Sequence, residues 1–177
     1  MEDDTTQIHG FLNGDIHCFN ELIKRHESWV HVMVNQIVKH REDSEDIAQD
    51  VFVMVYFSLR KFRFESEFKT WLYRIVINRI NNYFRKQKLL SWFGQELKED
   101  LTPDINQSQL EDGKLFSLAS QLPSLQRNIF LLRIYQDLPF KTIGNILSIT
   151  ENSAKVSFHK AKQNLKQYWE QSNESGS

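Results

Sequence analysis

The stretch from Arg60 to Lys88 carries the most suggestive chemistry in the chain. It holds nine basic residues (Arg60, Lys61, Arg63, Lys69, Arg74, Arg79, Arg85, Lys86 and Lys88) against two acids, Glu65 and Glu67, a net charge of +7. Among them stand Phe62, Phe64, Phe68, Trp71, Tyr73, Tyr83 and Phe84. Cations beside aromatic rings suit unpaired bases: a ring stacks on the base while Lys or Arg holds the phosphate, and each stacked base is worth roughly 1–3 kcal/mol. The plainer reading makes the rings core and the cations a solvated face. Trp71, Tyr73 and Tyr83 do not all fit the apolar stripe of this segment, which favours binding.

Just upstream, Glu42, Asp43, Glu45, Asp46 and Asp50 stand with no base between them. Acids in a helix's first turn complement its dipole. That accounts for Glu45 and Asp46, but poorly for Asp50, which lies more than a turn inside. An acidic helix start followed by a basic helix points to two partners on two faces. A third set lies near the C-terminus: Glu151, Asn152, Ser153, Lys155, Ser157, His159 and Lys160. Lysine neutralises phosphate, while Ser, Asn and His meet base edges, and recognition helices make their base contacts near their start.

These residues need elements to position them, and the apolar spacing supplies helices. From Asp15 to Lys39 the set Ile16, Phe19, Leu22, Ile23, Val30, Met33, Val34, Ile37 and Val38 recurs mostly at steps of three and four. Asp15, after Gly14, is a candidate N-cap. A second helix is expected to start near Asp43 or Ser44, with Ile47, Val51, Phe52, Val55, Tyr56 and Leu59 inward. A third runs from about Ser66 to Lys86, with Phe68, Leu72, Ile75, Val76, Ile80 and Phe84 inward. The many Val, Ile and Phe residues admit a strand reading, but segment length and charge periodicity favour helix. Downstream, Leu115, Leu118, Ala119 and Leu122 form a stripe ended by Pro123. Ser124 can cap a helix carrying Ile129, Leu132 and Ile134. Phe140, Ile143, Ile146 and Leu147 make a short amphipathic helix, Ser148 and Ile149 a turn, and Thr150 caps a longer helix with Ala154, Val156, Phe158, Ala161 and Leu165. Two helices joined by about three residues, the second longer and richer in Lys, form a helix-turn-helix pattern. The tail after Trp169 is expected to fray.

Residues 94–113 break the pattern. They hold six acids against Lys98, with Pro103 and several Asn, Gln and Ser residues, a linker signature. The expected architecture is all-α: a helical domain over 1–93, an acidic flexible linker over 94–113 and a helix-turn-helix domain over 114–177.

The 177 residues fit one ordinary domain or two small ones. Six Gly and three Pro argue against a turn-rich β fold, and a net charge of −1 excludes a uniformly basic binder but not one with segregated charge. Cys18 alone excludes an intramolecular disulfide and the usual multi-cysteine zinc site; on its helix it reads as a small buried or half-buried residue. His9, His17 and His26 read as surface. His26, His31 and His40 do not pair with carboxylates at a metal-binding spacing such as HExxH. No Gly-rich phosphate loop or nucleophile motif appears, so neither enzyme, metal nor cofactor is expected. The polar start MEDDTTQIHG is no secretory signal, and no stretch approaches about 18 uncharged apolar residues. The expectation is a cytoplasmic protein with no direct membrane insertion.

Two blocks carry a resemblance. SEDIAQDVFVMVYFSLRKFRFESEFKTWLYRIVINRINNYFRK resembles region 2, and QLPSLQRNIFLLRIYQDLPFKTIGNILSITENSAKVSFHKAKQNLK resembles region 4, of the extracytoplasmic-function (group 4) sigma factors of the sigma-70 family, promoter-recognition subunits of bacterial RNA polymerase. The blocks occur in the family's order with an acidic linker between. The resemblance implies that Asp46, Gln49, Asp50, Phe52 and Val53 meet the clamp helices of the polymerase's largest subunit, and that the flap of the second-largest subunit is a further contact. The loop Phe62 to Glu67, with Arg63 and Phe64, would capture a flipped base of the −10 element. Lys69, Trp71, Arg74, Asn78 and Arg79 would hold the non-template strand. Glu151, Asn152, Ser153, Lys155, Ser157, His159 and Lys160 would read the −35 element as duplex DNA. An anti-sigma factor is an implied partner.

The physics agrees with that division. Extruding a base costs a few kcal/mol, which rings and phosphate contacts must offset, whereas a paired −35 element needs only a major-groove helix. A linker lets two modules bind one promoter, raising the effective concentration at the second site. Some positions depart from the family pattern. Phe158 stands where an Arg is usual, Asp50 where Glu is usual, and Leu72 follows Trp71 where primary sigma factors carry a second Trp. Val156 and Phe158 fit packing as well as base reading. A rival with the same fold is an adaptor or decoy that binds a regulator instead of DNA, which would not need the basic, aromatic segment. A plain duplex-binding regulator would leave Asp46 to Asp50 unexplained.

Overall fold

The computed structural model describes residues 3–38, 40–92, 115 and 117–174. Among these, all regular structure is helical. The chain packs as two compact units, Met1–Ile80 and Asn81–Ser177.

The first unit opens with α1 (Asp4–Leu12), which the polar start of the sequence did not suggest. Asp3 caps it by accepting from the Thr6 N–H, and it buries Gln7, Ile8 and Phe11. Gly14, at φ +100°, turns the chain, a conformation that side chains disfavour. Asp15 then caps α2 (Ile16–Ile37) by accepting from the His17 N–H, as its sequence position suggests. α2 packs against both α1 and α3 (Arg41–Ser58). Its fully buried Leu22, Val30, Met33, Val34 and Ile37 form the centre of the unit, each such side chain contributing about 1.5–3 kcal/mol relative to exposure. α3 begins at Arg41, before the expected Asp43, because the His40 imidazole accepts from the Asp43 N–H and serves as the cap. A 3-10 turn (Leu59–Lys61) and a loop lead to α4 (Phe68–Trp92), longer at its C-terminus than the spacing suggested; its residues from Asn81 onward belong to the second unit.

Several inward assignments shift. Tyr73 and Ile77 are buried, whereas Ile75 is half-buried. The rotation brings Tyr73 edge-on to Trp29 (4.4 Å between centroids), and burial pushes its phenol pKa up. Tyr56 and Ile134 are exposed and Phe52 half-buried, so their stripes are narrower than expected. His26 is buried, not at the surface: its Nε2 lies 2.9 Å from Asp4 of α1, which also accepts from Arg25 at 2.6 Å. This is a tertiary partner supplied by a helix the sequence pattern had not suggested. Cys18 is half-buried, as read.

In the second unit, residues 117–121 are helical and precede α5 (Ser124–Ile134), α6 (Phe140–Leu147) and α7 (Glu151–Glu174). Pro123, not Ser124, is the residue before α5; its ring fixes φ for the helix entry. Arg127, near the start of α5, is buried. Its guanidinium donates to the Ser120 carbonyl (3.2 Å) and the Asn81 amide oxygen (2.9 Å) and lies over the Phe84 ring (4.3 Å). Burial lowers its pKa. The last helix runs through Trp169 to Glu174 where fraying was expected. The linker 94–113 lies outside the described residues.

Candidate polymerase and nucleic-acid interfaces

On α3 the buried stripe is Ser44, Ile47, Ala48, Val51 and Val55. Asp46, Gln49, Asp50 and Val53 therefore share the outer side and are exposed, while Phe52 is half-buried beside the His31 ring. Sequence reasoning missed two members of this surface. Met54 is exposed and Phe57 is 70% exposed, against 52% for Val53. The signal was present: positions 46, 50, 53 and 57 recur at steps of four, three and four. Exposed apolar side chains grouped beside carboxylates mark a surface that is covered by something else.

The loop after the 3-10 turn is built from rings. Phe62 is buried and touches Phe64 (4.8 Å), Trp71 (5.3 Å) and Phe68 (6.1 Å). Phe64 is turned outward, 40% exposed, with φ +57°. A bulky residue in the left-handed region is an outlier that the surrounding structure must impose. Arg63 beside it is exposed. On α4, Trp71 and Arg74 are half-buried, and Asn78 is exposed; at steps of three and four they lie along one side. Lys69 is exposed and sits over the Trp29 ring, 5.3 Å from its centroid. Arg79 is half-buried and reaches Asp50 at 3.8 Å, so one member of each proposed face touches the other. Tyr73 leaves the set of candidate stacking rings, because it is core.

In the second unit α6 and α7 form the helix-turn-helix. Ser148 takes φ +57°, closing α6, and the Ile149 N–H donates back to the Gly144 carbonyl at 2.9 Å. Gly144 is required by this closeness: a Cβ there would lie 2.7 Å from the Ile149 carbonyl oxygen. Thr150 Oγ1 accepts from the Ser153 N–H (3.1 Å) and caps α7, as read from the sequence. Glu151, Asn152, Ser153, Lys155, His159 and Lys160 are exposed, and Ser157 is half-buried. Lys155 pairs with Glu151 at 2.7 Å, and the hydrogen bond from Lys155 holds the Glu151 carboxyl below its usual range. Phe158 packs, between Phe130 and Phe140. Val156 does not; it is exposed beside the polar row. The apolar ring at position 158 is thus explained by α5 and α6, not by DNA.

Sigma-70 region 2 matches residues 22–89 and Sigma-70, region 4 matches residues 113–165. The two matches occur in the expected order along the chain, and the first runs past Ile80 into the start of the second unit. The chain belongs to the sigma-70 family. Within it the chain is an extracytoplasmic-function RNA polymerase sigma factor, a non-enzymatic initiation factor whose partners are core polymerase and promoter DNA. It is 24% identical to the ECF RNA polymerase sigma factor SigW of Bacillus subtilis (strain 168), over 86% of this chain and 89% of that relative. Two solved structures share the fold. One is CnrH in complex with the cytosolic domain of CnrY: TM-score 0.67 at 18% identity, over 94% of this chain and 97% of that one. The other is the sigma factor RpoE with the anti-sigma factor NepR from Bartonella quintana: TM-score 0.61 at 16% identity, over 86% and 96%. No described helix of this sigma factor is long and apolar enough to cross a membrane, and no group of three described His, Cys, Asp or Glu residues could hold a metal ion.

Proposed function

We propose a division of labour among the three surfaces of this sigma factor. Asp46, Gln49, Asp50, Phe52 and Val53 dock on the clamp helices of the polymerase's largest subunit, with Met54 and Phe57 widening the contact. The flap of the second-largest subunit takes the second unit. Arg63, Phe64, Lys69, Trp71, Arg74, Asn78 and Arg79 hold the melted −10 element, and Glu151, Asn152, Ser153, Lys155, Ser157, His159 and Lys160 face the duplex −35 element. The functional limits are residues 1–93 for polymerase and −10 binding, 94–113 for the linker and 114–177 for −35 binding. The protein works in the cytoplasm, and an anti-sigma factor restrains it; two proteins with this fold are each described in complex with a partner protein, one of them named an anti-sigma factor.

One observation carries the reading: Val53, Met54 and Phe57 are exposed on the same side of α3 as Asp46 and Asp50. A plain DNA-binding regulator has no use for that surface, whereas a protein that must ride on polymerase does. The test is run-off transcription with purified core polymerase and a promoter library. The expected result is a defined set of start sites dependent on this chain. Absence of any chain-dependent transcript, with the chain still bound to a regulatory protein, would support the adaptor reading instead.

A further inference from the structure

The loop that turns Phe64 outward is not supported by its own unit of sequence alone. His9, at the end of α1, lies against Phe64 with ring centroids 4.8 Å apart and planes only 10° from parallel. Both rings are exposed. Parallel contact at this distance is the geometry in which flat rings stack. It meets the one residue of the loop whose backbone is left-handed, so the stack helps to hold a conformation that a Phe does not choose by itself.

The position of His9 is itself fixed. Asp3 caps α1, and Asp4 joins it to Arg25 and His26 of α2. The His26 ring lies against Phe68, 5.1 Å between centroids, at the start of α4. Gly10 sits so close to α2 that a Cβ there would lie 2.3 Å from the Cys18 sulfur. α1 is thus clamped at both ends of its short length, and the imidazole is held in place before any ligand arrives. A ring fixed beforehand loses little freedom on binding.

We propose that His9 belongs to the single-strand site: its imidazole is the outer plate of the ring series His9–Phe64–Phe62–Trp71, and an unpaired base of the non-template strand stacks on its open face. The inference rests on the reading of the Phe62 to Glu67 loop as the −10 contact and adds to it a residue 55 positions away in sequence. It also gives α1 a task in DNA binding beyond packing on α2. The imidazole suits the task, since it offers a flat face to a base and an N–H to a base edge or phosphate.

The test uses holoenzyme reconstituted from core polymerase and the full chain. The probe is a pool of 20-nucleotide single-stranded DNA with 2-aminopurine at one central position, read by anisotropy and by the fluorescence quenching that stacking causes, with core alone subtracted. His9→Ala is expected to weaken binding at least about fivefold and to reduce the quenching. His9→Phe, which keeps a flat ring, is expected to restore both. Arg63→Ala, in the loop itself, tests the underlying reading. If it weakens binding while His9→Ala leaves affinity and quenching unchanged, the inference about His9 is wrong and the loop assignment stands. Tighter binding by His9→Ala would also overturn it, because His9 would then be a cover over Phe64. If neither Arg63→Ala nor His9→Ala has an effect, the assignment of the loop fails and the inference with it.

Discussion

Gly144→Ala sets two physical effects against each other. Gly144 lies inside α6, where replacing Gly by Ala ordinarily stabilises a helix by about 1 kcal/mol. Here the new Cβ would lie 2.7 Å from the Ile149 carbonyl oxygen, 3.4 Å from the Glu151 nitrogen and 3.5 Å from the Thr150 carbonyl carbon. All three are backbone atoms of the turn, so no side chain can swing away. Relief requires the turn to move by several tenths of an ångström, and crowding of this kind costs about 1–3 kcal/mol. The turn carries the 2.9 Å bond from Ile149 N–H to the Gly144 carbonyl and leads directly into α7, so the strain also re-aims α7. The expected net result runs from no change to a loss of about 2 kcal/mol. For a domain of 60–100 residues each kcal/mol shifts Tm by about 4–8 °C. Circular dichroism at 222 nm during heating reads this, and affinity for duplex promoter DNA reads the re-aiming. Gly10→Ala is the control: its clash is with the Cys18 sulfur, a side-chain atom, so adding Cys18→Ala should recover most of whatever it loses. A rise in Tm for Gly144→Ala would show that helix propensity dominates and that the turn is looser than the distance implies.

Arg127→Met removes a buried cation that donates to the Ser120 carbonyl and the Asn81 amide oxygen; hydrogen bonds to charged groups are worth about 1.5–3 kcal/mol each. The urea midpoint should fall by the equivalent of about 3 kcal/mol, and an unchanged midpoint would refute the structural role. Replacing Lys155 and Lys160 by Ala should weaken duplex binding and flatten the plot of log affinity against log salt by about 0.9 per lysine; an unchanged slope would mean that neither meets phosphate. Asp46→Lys should lower affinity for core polymerase in a pull-down while leaving the thermal unfolding curve in place, because the side chain is exposed. Asp3 and Asp15 have carboxyl pKa values below the ordinary 3.8, chiefly because each accepts from a backbone N–H at a helix start. A depressed folded-state pKa means the stabilisation is present above about 3.8 and is lost as pH falls below it. Asp15→Asn, which caps at any pH, should show a shallower acid loss of helicity than the parent.

Much of the second unit was legible because its signals are local. Thr150 caps α7 through an atom three residues away, and the α6–α7 turn is short. The first unit was less legible where distant residues decide the outcome. His26 on a helix face reads as solvated until Asp4 is placed beside it. Tyr73 falls outside the simplest stripe, yet Trp29 draws it into the core. The exposed side of α3 was legible in its acids but not in Phe57. A Phe at helical spacing reads as core, and only the burial of Ser44, Ile47, Ala48, Val51 and Val55 shows which side faces out.

Asp50 and Arg79 limit how the two faces of the first unit can be probed. The pair spans 3.8 Å with Asp50 largely in solvent, and exposed pairs of this kind contribute about 0–1 kcal/mol. It is too weak to lock either proposed face, so Asp50 and Arg79 can each exchange the other for a new partner at little energetic cost. The same closeness makes Asp50→Lys an ambiguous variant. It would set a second cation beside Arg79, strengthening the local field for DNA while removing an acid from the polymerase contact. Asp46→Lys changes the α3 face without placing a charge against Arg79, and Asp50→Asn removes the acid without adding a cation. If Asp46→Lys and Asp50→Asn both weaken polymerase binding while single-strand affinity of the remaining holoenzyme is unchanged, the two faces act separately. If Asp50→Asn alone also alters single-strand affinity, the ion pair couples them despite its exposure.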